Sequence, residues 1–297
     1  MAFPRTIQSG TRWNSYGFTG WRRGIFRREI NPMEGYPTAK NARLEQATTG
    51  RAARPPLPLF PGRAMLLAAL ILAAAINITA RPTRAPDWQT LFDGATLHGF
   101  HLYNLGDTVP ERWSADQGIL RLHTREEAPG KRAKEDLVIT PRPCADFEFE
   151  FDWKIDAAGN SGVFYKVTED PKYEKPWATG LEYQLLDNGH AIDNKVPSHL
   201  AGSVYDLVAP PKDFTQPVGA WNQSRIVVRG TRIEHWLNDR LAVSVDTAST
   251  GWRQLVATSK YKDLTALMLP GPGVIVLQDH GDGICFRNLR IREIAGR

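Results

Sequence analysis

The segment that most constrains the fold is the run FEFEFDWKI at residues 147–155. Apolar and charged side chains alternate along it, so five apolar groups fall on one side and four charged groups on the other. A helix, with about 3.6 residues per turn, would scatter both sets around its surface. The run therefore predicts an antiparallel strand with one face in a hydrophobic core and the other toward water.

Further short strands follow along the chain. Residues 163–167 and 181–186 alternate in a similar way, and the pairs Gly230-Thr231 and Asn238-Asp239 separate strand-like runs as hairpin turns do. No stretch after residue 86 keeps a helical period for three turns. The pattern predicts an all-β domain, a sandwich or jelly roll of antiparallel sheets.

The charge of the chain is divided unevenly. The whole sequence of 297 residues has a formal charge of +5, but residues 1–80 contain 11 Lys and Arg against three acids. Subtraction leaves 26 basic and 29 acidic residues in 81–297, a net charge of −3. The excess of positive charge therefore belongs to residues 1–80, here called the leader. Nothing in residues 81–297 favours nucleic acid as a partner.

The leader itself has two parts. Residues 64–76 are thirteen apolar residues in a row, too short for a confident membrane span and typical of a secretory signal segment. We expect residues 63–80 to act as that segment and residues 1–62 to be a disordered basic extension, either an over-long gene start or a dispensable segment. The mature protein would then be periplasmic or secreted, touching a membrane only through an uncleaved signal segment. In such an oxidising compartment Cys144 and Cys285 would either pair or remain free.

The densest polar cluster follows the predicted strand 181–186. Glu182 and Gln184 are two residues apart and so point from one face of the sheet, while Asp187 and His190 come in the next loop. Two carboxylates and a histidine can supply a general base, a general acid or ligands for a hard metal ion. A solvated strand face ending in a polar turn would give the same pattern.

Other candidates are weaker when each is taken alone. Tyr165 and Lys166 follow the turn at residues 160–162, His280 precedes a Gly-Asp-Gly turn, and Trp177 and Trp221 lie in loops where an exposed indole can stack on a sugar ring. The sequence has no phosphate-binding loop, nucleophile elbow, HExxH or CxxC motif.

Several segments together resemble one family, the 3-keto-disaccharide hydrolase domains, long called a domain of unknown function. The resemblance covers residues 87–294 and rests on WQTLFDG (88–94), DFEFEFDWKI (146–155), GNSGVFYKV (159–167), GLEYQLLDN (180–188), AGSVYDLVAP (201–210), GAWNQSRIVVRG (219–230), HWLND (235–239) and LQDHGDGICFRNLRIREI (277–294). It implies a concanavalin A-like jelly-roll sandwich of two antiparallel sheets.

The resemblance also implies an activity: cleavage of 3-keto-glycosides, after a separate sugar oxidoreductase has oxidised the sugar. A C3 carbonyl acidifies the C2 proton, so a base can form an enediolate that expels the C1 substituent; water then adds, or the enone leaves. One of Glu182 and His190 would act as the base and the other as the acid. Asp187 would either orient these groups or bind a metal ion.

The remaining candidates would bind the sugar. Lys166, Gln184 and His280 would line the pocket or steady the oxyanion, with Tyr165 and Trp177 as further substrate contacts. The sequence identifies no cofactor and leaves open a divalent metal such as calcium at the acidic cluster. Lys166 replaces an expected Arg, and the Pro usual after the His190 position is absent, which affects substrate detail more than the fold.

Two other functions fit the same sequence. One is a non-catalytic, lectin-like carbohydrate-binding module, since a fold does not dictate an activity. The other is a conventional glycosidase with two carboxylates, for which Glu182 has no acidic partner two or four residues later.

Overall fold

The computed structural model describes residues 87–106, 108–131 and 134–294, so the expectations for residues 1–80 lie outside it. Thirteen strands and one helix make up this part of the chain, with two 3₁₀ turns at Pro176–Ala178 and Pro197–His199. The elements are β1 (Gln89–Thr90), β2 (His101–Leu102), β3 (Trp113–Asp116), β4 (Ile119–Leu122), β5 (Leu137–Val138), β6 (Phe147–Ile155), β7 (Asn160–Val167), β8 (Leu181–Leu186), β9 (Asn222–Arg229), β10 (Arg232–Leu237), β11 (Arg240–Asp246), α1 (Thr250–Thr258), β12 (Val274–Leu277) and β13 (Ile284–Glu293).

The strands form two antiparallel sheets. Sheet A has eight strands in the order β11-β10-β9-β6-β13-β4-β3, with β1 also paired to β13. Sheet B has five strands in the order β2-β5-β12-β7-β8. The fold is an all-β jelly-roll sandwich, as the sequence predicts, and β13, the last strand of the described residues, lies inside sheet A between β6 and β4.

Strand β6 shows why the alternating run folds in this way. Phe147, Phe149, Phe151, Trp153 and Ile155 are almost fully buried in the core between the sheets. The acidic side chains of β6 face outward and pair with arginines of the neighbouring strand β13: Glu150 accepts from Arg290 Nε at 2.8 Å and Asp152 from Arg287 Nε at 3.0 Å. The alternation predicted from sequence is therefore present, and ion pairs with β13 cover the outer face of β6.

The candidate site lies on sheet B. One face of this sheet packs against sheet A, and loops cover the other face. Tyr165 and Tyr183 point inward, where their hydroxyls lie 2.9 Å from His235 Nε2 and from Ser224 Oγ of sheet A. Phe164 and Glu182, the next residues along β7 and β8, consequently point to the opposite, outer face. Glu182 is nevertheless buried, so loops must cover this face.

Both cysteines are free, so the pairing left open by the sequence does not form. Cys144 pairs its backbone with Gly273 beside sheet B, whereas Cys285 belongs to β13 of sheet A and lies opposite Arg121 and Lys154. Cys144 thus lies beside sheet B, whereas Cys285 lies within sheet A. Over the described ranges, no helix is long and apolar enough to cross a membrane.

Candidate active site

A cavity of about 160 Å³ opens on the outer face of sheet B. Strands β7 and β8 supply its floor, and five other parts of the chain supply its walls. Its lining residues are Lys134, Asp136, Asn160, Phe164, Lys175, Trp177, Glu182, Tyr205, Lys260, Gln278 and His280.

Glu182 forms the floor of this cavity. Its side chain lies over the backbone of Gly162 on the adjacent strand, so a Cβ at Gly162 would come within 2.9 Å of Glu182 Cγ. Burial raises the pKa of Glu182 to about 8; Lys260 opposes this rise, and the carboxylates of Asp136 and Asp193 reinforce it. Glu182 therefore holds its proton at neutral pH.

Two amide side chains surround that carboxyl group. The Gln278 amide hydrogen-bonds to Glu182, while the buried Gln278 Oε1 atom has no hydrogen-bond partner among the described residues. The amide of Gln184, fully buried, lies 3.2 Å from Asn160 Oδ1 and 3.3 Å from Glu182 Oε1. Since an amide offers a donor on one side and an acceptor on the other, Gln184 can satisfy Glu182 with or without its proton.

Asp136 is the second carboxyl group of the cavity. Its Oδ1 accepts the backbone N–H of Asp279 at 2.9 Å, and Asp279 is itself held by the guanidinium of Arg112 at 2.5 Å in a fully buried pair. Burial raises the pKa of Asp136 to about 6, partly offset by the Asp279 N–H and by Lys134 and Lys175. At neutral pH Asp136 is therefore mostly ionised while Glu182 is mostly protonated.

Lys260 approaches Glu182 from the loop after helix α1. Its ammonium lies 3.8 Å from the centroid of the Tyr205 ring, and its backbone N–H donates to Asp206 Oδ2 at 2.9 Å. Partial burial lowers the pKa of Lys260, although the carboxylate of Glu182, when ionised, and that of Asp206 oppose the change. The result is a cation held inside the cavity by a ring and a backbone contact.

A network of side-chain hydrogen bonds holds Tyr205 in place. The Tyr205 hydroxyl donates to Asp193 Oδ2 at 2.7 Å, and His199 bridges Asp193 Oδ1 at 2.8 Å and Asp206 Oδ1 at 3.1 Å. The His199 ring also stacks on Tyr205, with centroids 4.3 Å apart. These contacts fix the loop that positions Tyr205 against Lys260.

Three of the residues predicted from sequence meet in the cavity: Glu182, Trp177 and His280. Trp177 is 42% exposed, which leaves its ring available to a ligand. The pKa of His280 is lowered by partial burial and by Lys134, so its ring is neutral at pH 7. Gln184 touches the cavity through Glu182 and Asn160, as described above.

The structure does not bring Tyr165 or Lys166 to this cavity. Tyr165 is fully buried in the core against His235, where burial raises its pKa well above the usual value. Lys166 has φ of +59° at a bulge where β7 pairs with β12, and its ammonium donates to the carbonyl oxygen of Gly271. The bulge turns Lys166 away from the direction that simple alternation predicts.

Asp187 and His190 lie in a different cavity, of about 320 Å³, beside Trp153 and Asn222. Asp187 follows the last residue of β8 and accepts the backbone N–H groups of Ala158 at 2.8 Å and Gly189 at 3.0 Å. His190 Nδ1 is 3.0 Å from Asp187 Oδ2. The pair predicted to act with Glu182 is therefore separated from it by the turn that ends the strand.

Sequence reasoning missed Asp136, Lys260 and Tyr205, together with Lys134 and Lys175. Asp136 directly precedes the apolar run LVIT, and Tyr205 stands within the segment AGSVYDLVAP, but neither position has a spacing that indicates chemistry. Among the residues of the described ranges, no group of three or more His, Cys, Asp or Glu side chains is arranged to hold a metal ion.

Comparison with known proteins gives concordant results. The sequence model of the family described as the 3-keto-alpha-glucoside-1,2-lyase-like domain matches residues 87–292. A protein of Bacteroides thetaiotaomicron named 3-keto-disaccharide hydrolase is 28% identical over 241 residues, covering 74% of this chain and 83% of that protein.

Two crystal structures from Parabacteroides distasonis, each described as that of a candidate glycosyl hydrolase, resemble this fold. One has a TM-score of 0.62 at 28% identity and covers 70% of this chain and 94% of its own. The other has a TM-score of 0.54 at 28% identity and covers 70% of this chain and 100% of its own.

Proposed function

Because the chain belongs to the family of 3-keto-alpha-glucoside-1,2-lyase-like domains, a carbohydrate-active family, we propose that it cleaves the glycosidic bond of 3-keto-glycosides by elimination followed by addition of water. The observation that carries this proposal is the pair of carboxyl groups in one cavity, Asp136 and Glu182, with pKa values near 6 and 8. Two titratable groups whose surroundings separate their pKa values are suited to act as base and acid together.

The reaction begins at C2 of the sugar. The carboxylate of Asp136 takes the C2 proton, and the electron pair of that C–H bond forms the C2–C3 double bond of an enediolate. When the C3 carbonyl re-forms, the C1–O bond breaks and the aglycone oxygen takes the proton of Glu182. Water then adds to C1 of the enone, which gives net hydrolysis and restores both protonation states.

Lys260 stabilises the negative oxygen that develops at C3. A cation fixed before the reaction begins, as Lys260 is by Tyr205 and Asp206, lowers the barrier without reorganising during the step. Trp177 offers an apolar ring face to the C–H face of the sugar, and Gln278 Oε1 offers an acceptor for a sugar hydroxyl.

The test compares 3-keto-glucosides with the corresponding unoxidised glucosides. Turnover of the keto form alone is expected, since only the C3 carbonyl acidifies C2. Glu182→Gln and Asp136→Asn are each expected to lower kcat at least about 100-fold. His190→Ala, in the separate cavity, is the matched control and is expected to keep activity. Binding without turnover would favour the lectin-like function, and equal turnover of both forms a conventional glycosidase.

We also propose that the protein works in the periplasm or outside the cell, on sugars that a separate oxidoreductase has oxidised at C3. The apolar run at residues 64–76 supports export. N-terminal sequencing of the exported protein is expected to give a start near residue 81; a mature protein that begins before residue 60 would contradict it.

A further inference from the structure

The mouth of the cavity is positively charged although the domain is not. Lys134 and Lys175 line the mouth, and Arg125 lies just beside it, where its guanidinium approaches the backbone of Gly281 next to His280. Within residues 87–106, 108–131 and 134–294, none of these three cations has a carboxylate at ion-pair distance. Residues 81–297 carry a net charge of −3, so the cluster opposes the overall charge of the domain.

The size of the cavity indicates which part of a substrate meets these cations. Its volume of about 160 Å³ is below the roughly 300–1,000 Å³ of pockets that enclose a drug-sized ligand. It therefore takes about one sugar ring, held between Glu182 on the floor and Trp177 on the wall. Because the cavity holds about one ring, the group attached at C1, whose oxygen meets Glu182 in the proposed reaction, must extend past that ring to the mouth, where Lys134 and Lys175 lie.

We propose, resting on the function above, that the preferred substrates are 3-keto-glycosides whose aglycone carries an anionic group, which Lys134 and Lys175 bind at the mouth. Both lysines lower the pKa of Asp136, but Asp136 is a single carboxylate, and its Oδ1 already accepts the N–H of Asp279. The two ammonium groups thus leave positive charge uncompensated in the unliganded site. An anionic substituent would also be drawn to the cavity as it approaches, because the field of clustered charges raises association rates.

The experiment uses 3-keto-glucosides that differ only in charge: 4-carboxyphenyl, 4-sulfophenyl and the neutral, similarly shaped 4-carbamoylphenyl glucoside. At low ionic strength kcat/KM for either anionic substrate is expected to exceed that of the neutral one about tenfold, and the ratio is expected to fall as salt is added. Lys134→Gln and Lys175→Gln are each expected to reduce the ratio about threefold. If kcat/KM increases for the carboxyphenyl substrate but not for the sulfophenyl substrate, the site prefers a carboxylate as the anionic group.

Lys172→Gln is the matched control. Lys172 lies in the same loop as Lys175 but outside the cavity, and its ammonium pairs with Asp170 at 3.0 Å. This variant is expected to keep the wild-type ratio. A ratio near one in the wild-type protein, or a ratio that both cavity lysine variants leave unchanged, overturns the inference.

The two proposals fail in different ways. If the neutral keto-glucoside is turned over without any preference for the anions, this inference is wrong and the proposed function stands. If no keto-glucoside is turned over, the proposed function is wrong, and the affinities of the unoxidised carboxyphenyl and carbamoylphenyl glucosides, measured by calorimetry, decide the inference. Tighter binding of the carboxyphenyl compound then supports it, and equal binding contradicts it.

Discussion

The side chain of Glu182 lies directly against the bare backbone of Gly162 on the neighbouring strand. A Cβ at Gly162 would come within 2.9 Å of Glu182 Cγ and closer still to its Oε1. The absence of a side chain at Gly162 thus creates the space that the buried carboxyl group occupies. The glycine of the segment GNSGVFYKV is needed here for close approach, since its φ does not lie in the left-handed region.

Gly162→Ala is expected to displace the Glu182 carboxyl group, to lower kcat by an order of magnitude or more, and to destabilise the fold by about 1–3 kcal/mol. Thermal unfolding and steady-state kinetics measure the two effects. Gly251→Ala is the control, because Gly251 lies in helix α1 with only Ser249 Oγ 4.0 Å from its added Cβ. It is expected to leave kcat unchanged. Equal kinetics for wild type and Gly162→Ala would contradict the assignment of Glu182.

The pH dependence of kcat/KM is expected to be bell-shaped. Activity rises as Asp136 ionises near pH 6 and falls as Glu182 loses its proton near pH 8. In the pH profile of the residual activity, Asp136→Asn is expected to abolish the rise near pH 6. Glu182→Gln is expected to abolish the fall near pH 8. An unchanged bell in either variant would assign that limb to another group.

Lys260→Met is expected to lower kcat about 100-fold, because the developing C3 oxyanion loses its fixed cation. It is also expected to move the alkaline limb to higher pH, since Lys260 now opposes the rise in the pKa of Glu182. Lys262→Met, at an exposed position two residues away, is the control. An unchanged kcat would contradict the role of Lys260 at the oxyanion, and an unmoved alkaline limb would contradict its effect on Glu182.

Trp177→Ala is expected to raise KM about two- to tenfold with little change in kcat, because stacking on an aromatic face contributes about 0.5–1.5 kcal/mol. Trp221→Ala provides the comparison. The Trp221 ring lies 4.1 Å from the guanidinium of Arg287 on the outer face of sheet A, away from the cavity. An equal KM for the two variants would remove Trp177 from the sugar site.

Stability is expected to fall in acid because of His235. Burial lowers its pKa from 6.5 to about 4, so between these values the unfolded chain binds a proton that the folded protein does not. The free energy of unfolding therefore decreases as the pH drops through 6.5 and levels off below 4, by up to about 3 kcal/mol. Urea unfolding of the wild type and of His235→Asn at several pH values measures this. The contributions of other titratable groups cancel in the difference between the two free energies of unfolding. A difference that does not shrink below pH 6.5 would contradict it.

The strands could be predicted from sequence because their causes are local. In β6 the alternation of Phe149, Glu150, Phe151 and Asp152 places each side chain on one face without knowledge of the rest of the chain. The same rule correctly places Glu182 and Gln184 on one side of β8. Lys166 shows the limit of that rule, because the bulge that turns it aside is set by the pairing of β7 with β12.

The partners of Glu182 could not be predicted in this way. Asp187 and His190 are near it in sequence, but the turn after β8 directs them into another cavity. Asp136 and Lys260 are distant in sequence and meet Glu182 only because β5, β12, β7 and β8 lie side by side and the loop after α1 folds over them. Which loops converge depends on strand order, and no local pattern encodes that order.

The central place of β13 in sheet A has a consequence for how the protein is made. During synthesis the segments of β6 and β4 emerge from the ribosome long before residues 284–293, yet in the finished sheet each pairs with that last strand. Until then both strands present open edges able to pair with other chains. A chain that stops before Ile284 would keep both edges open, so we expect it to associate with other chains more readily than the domain that contains β13.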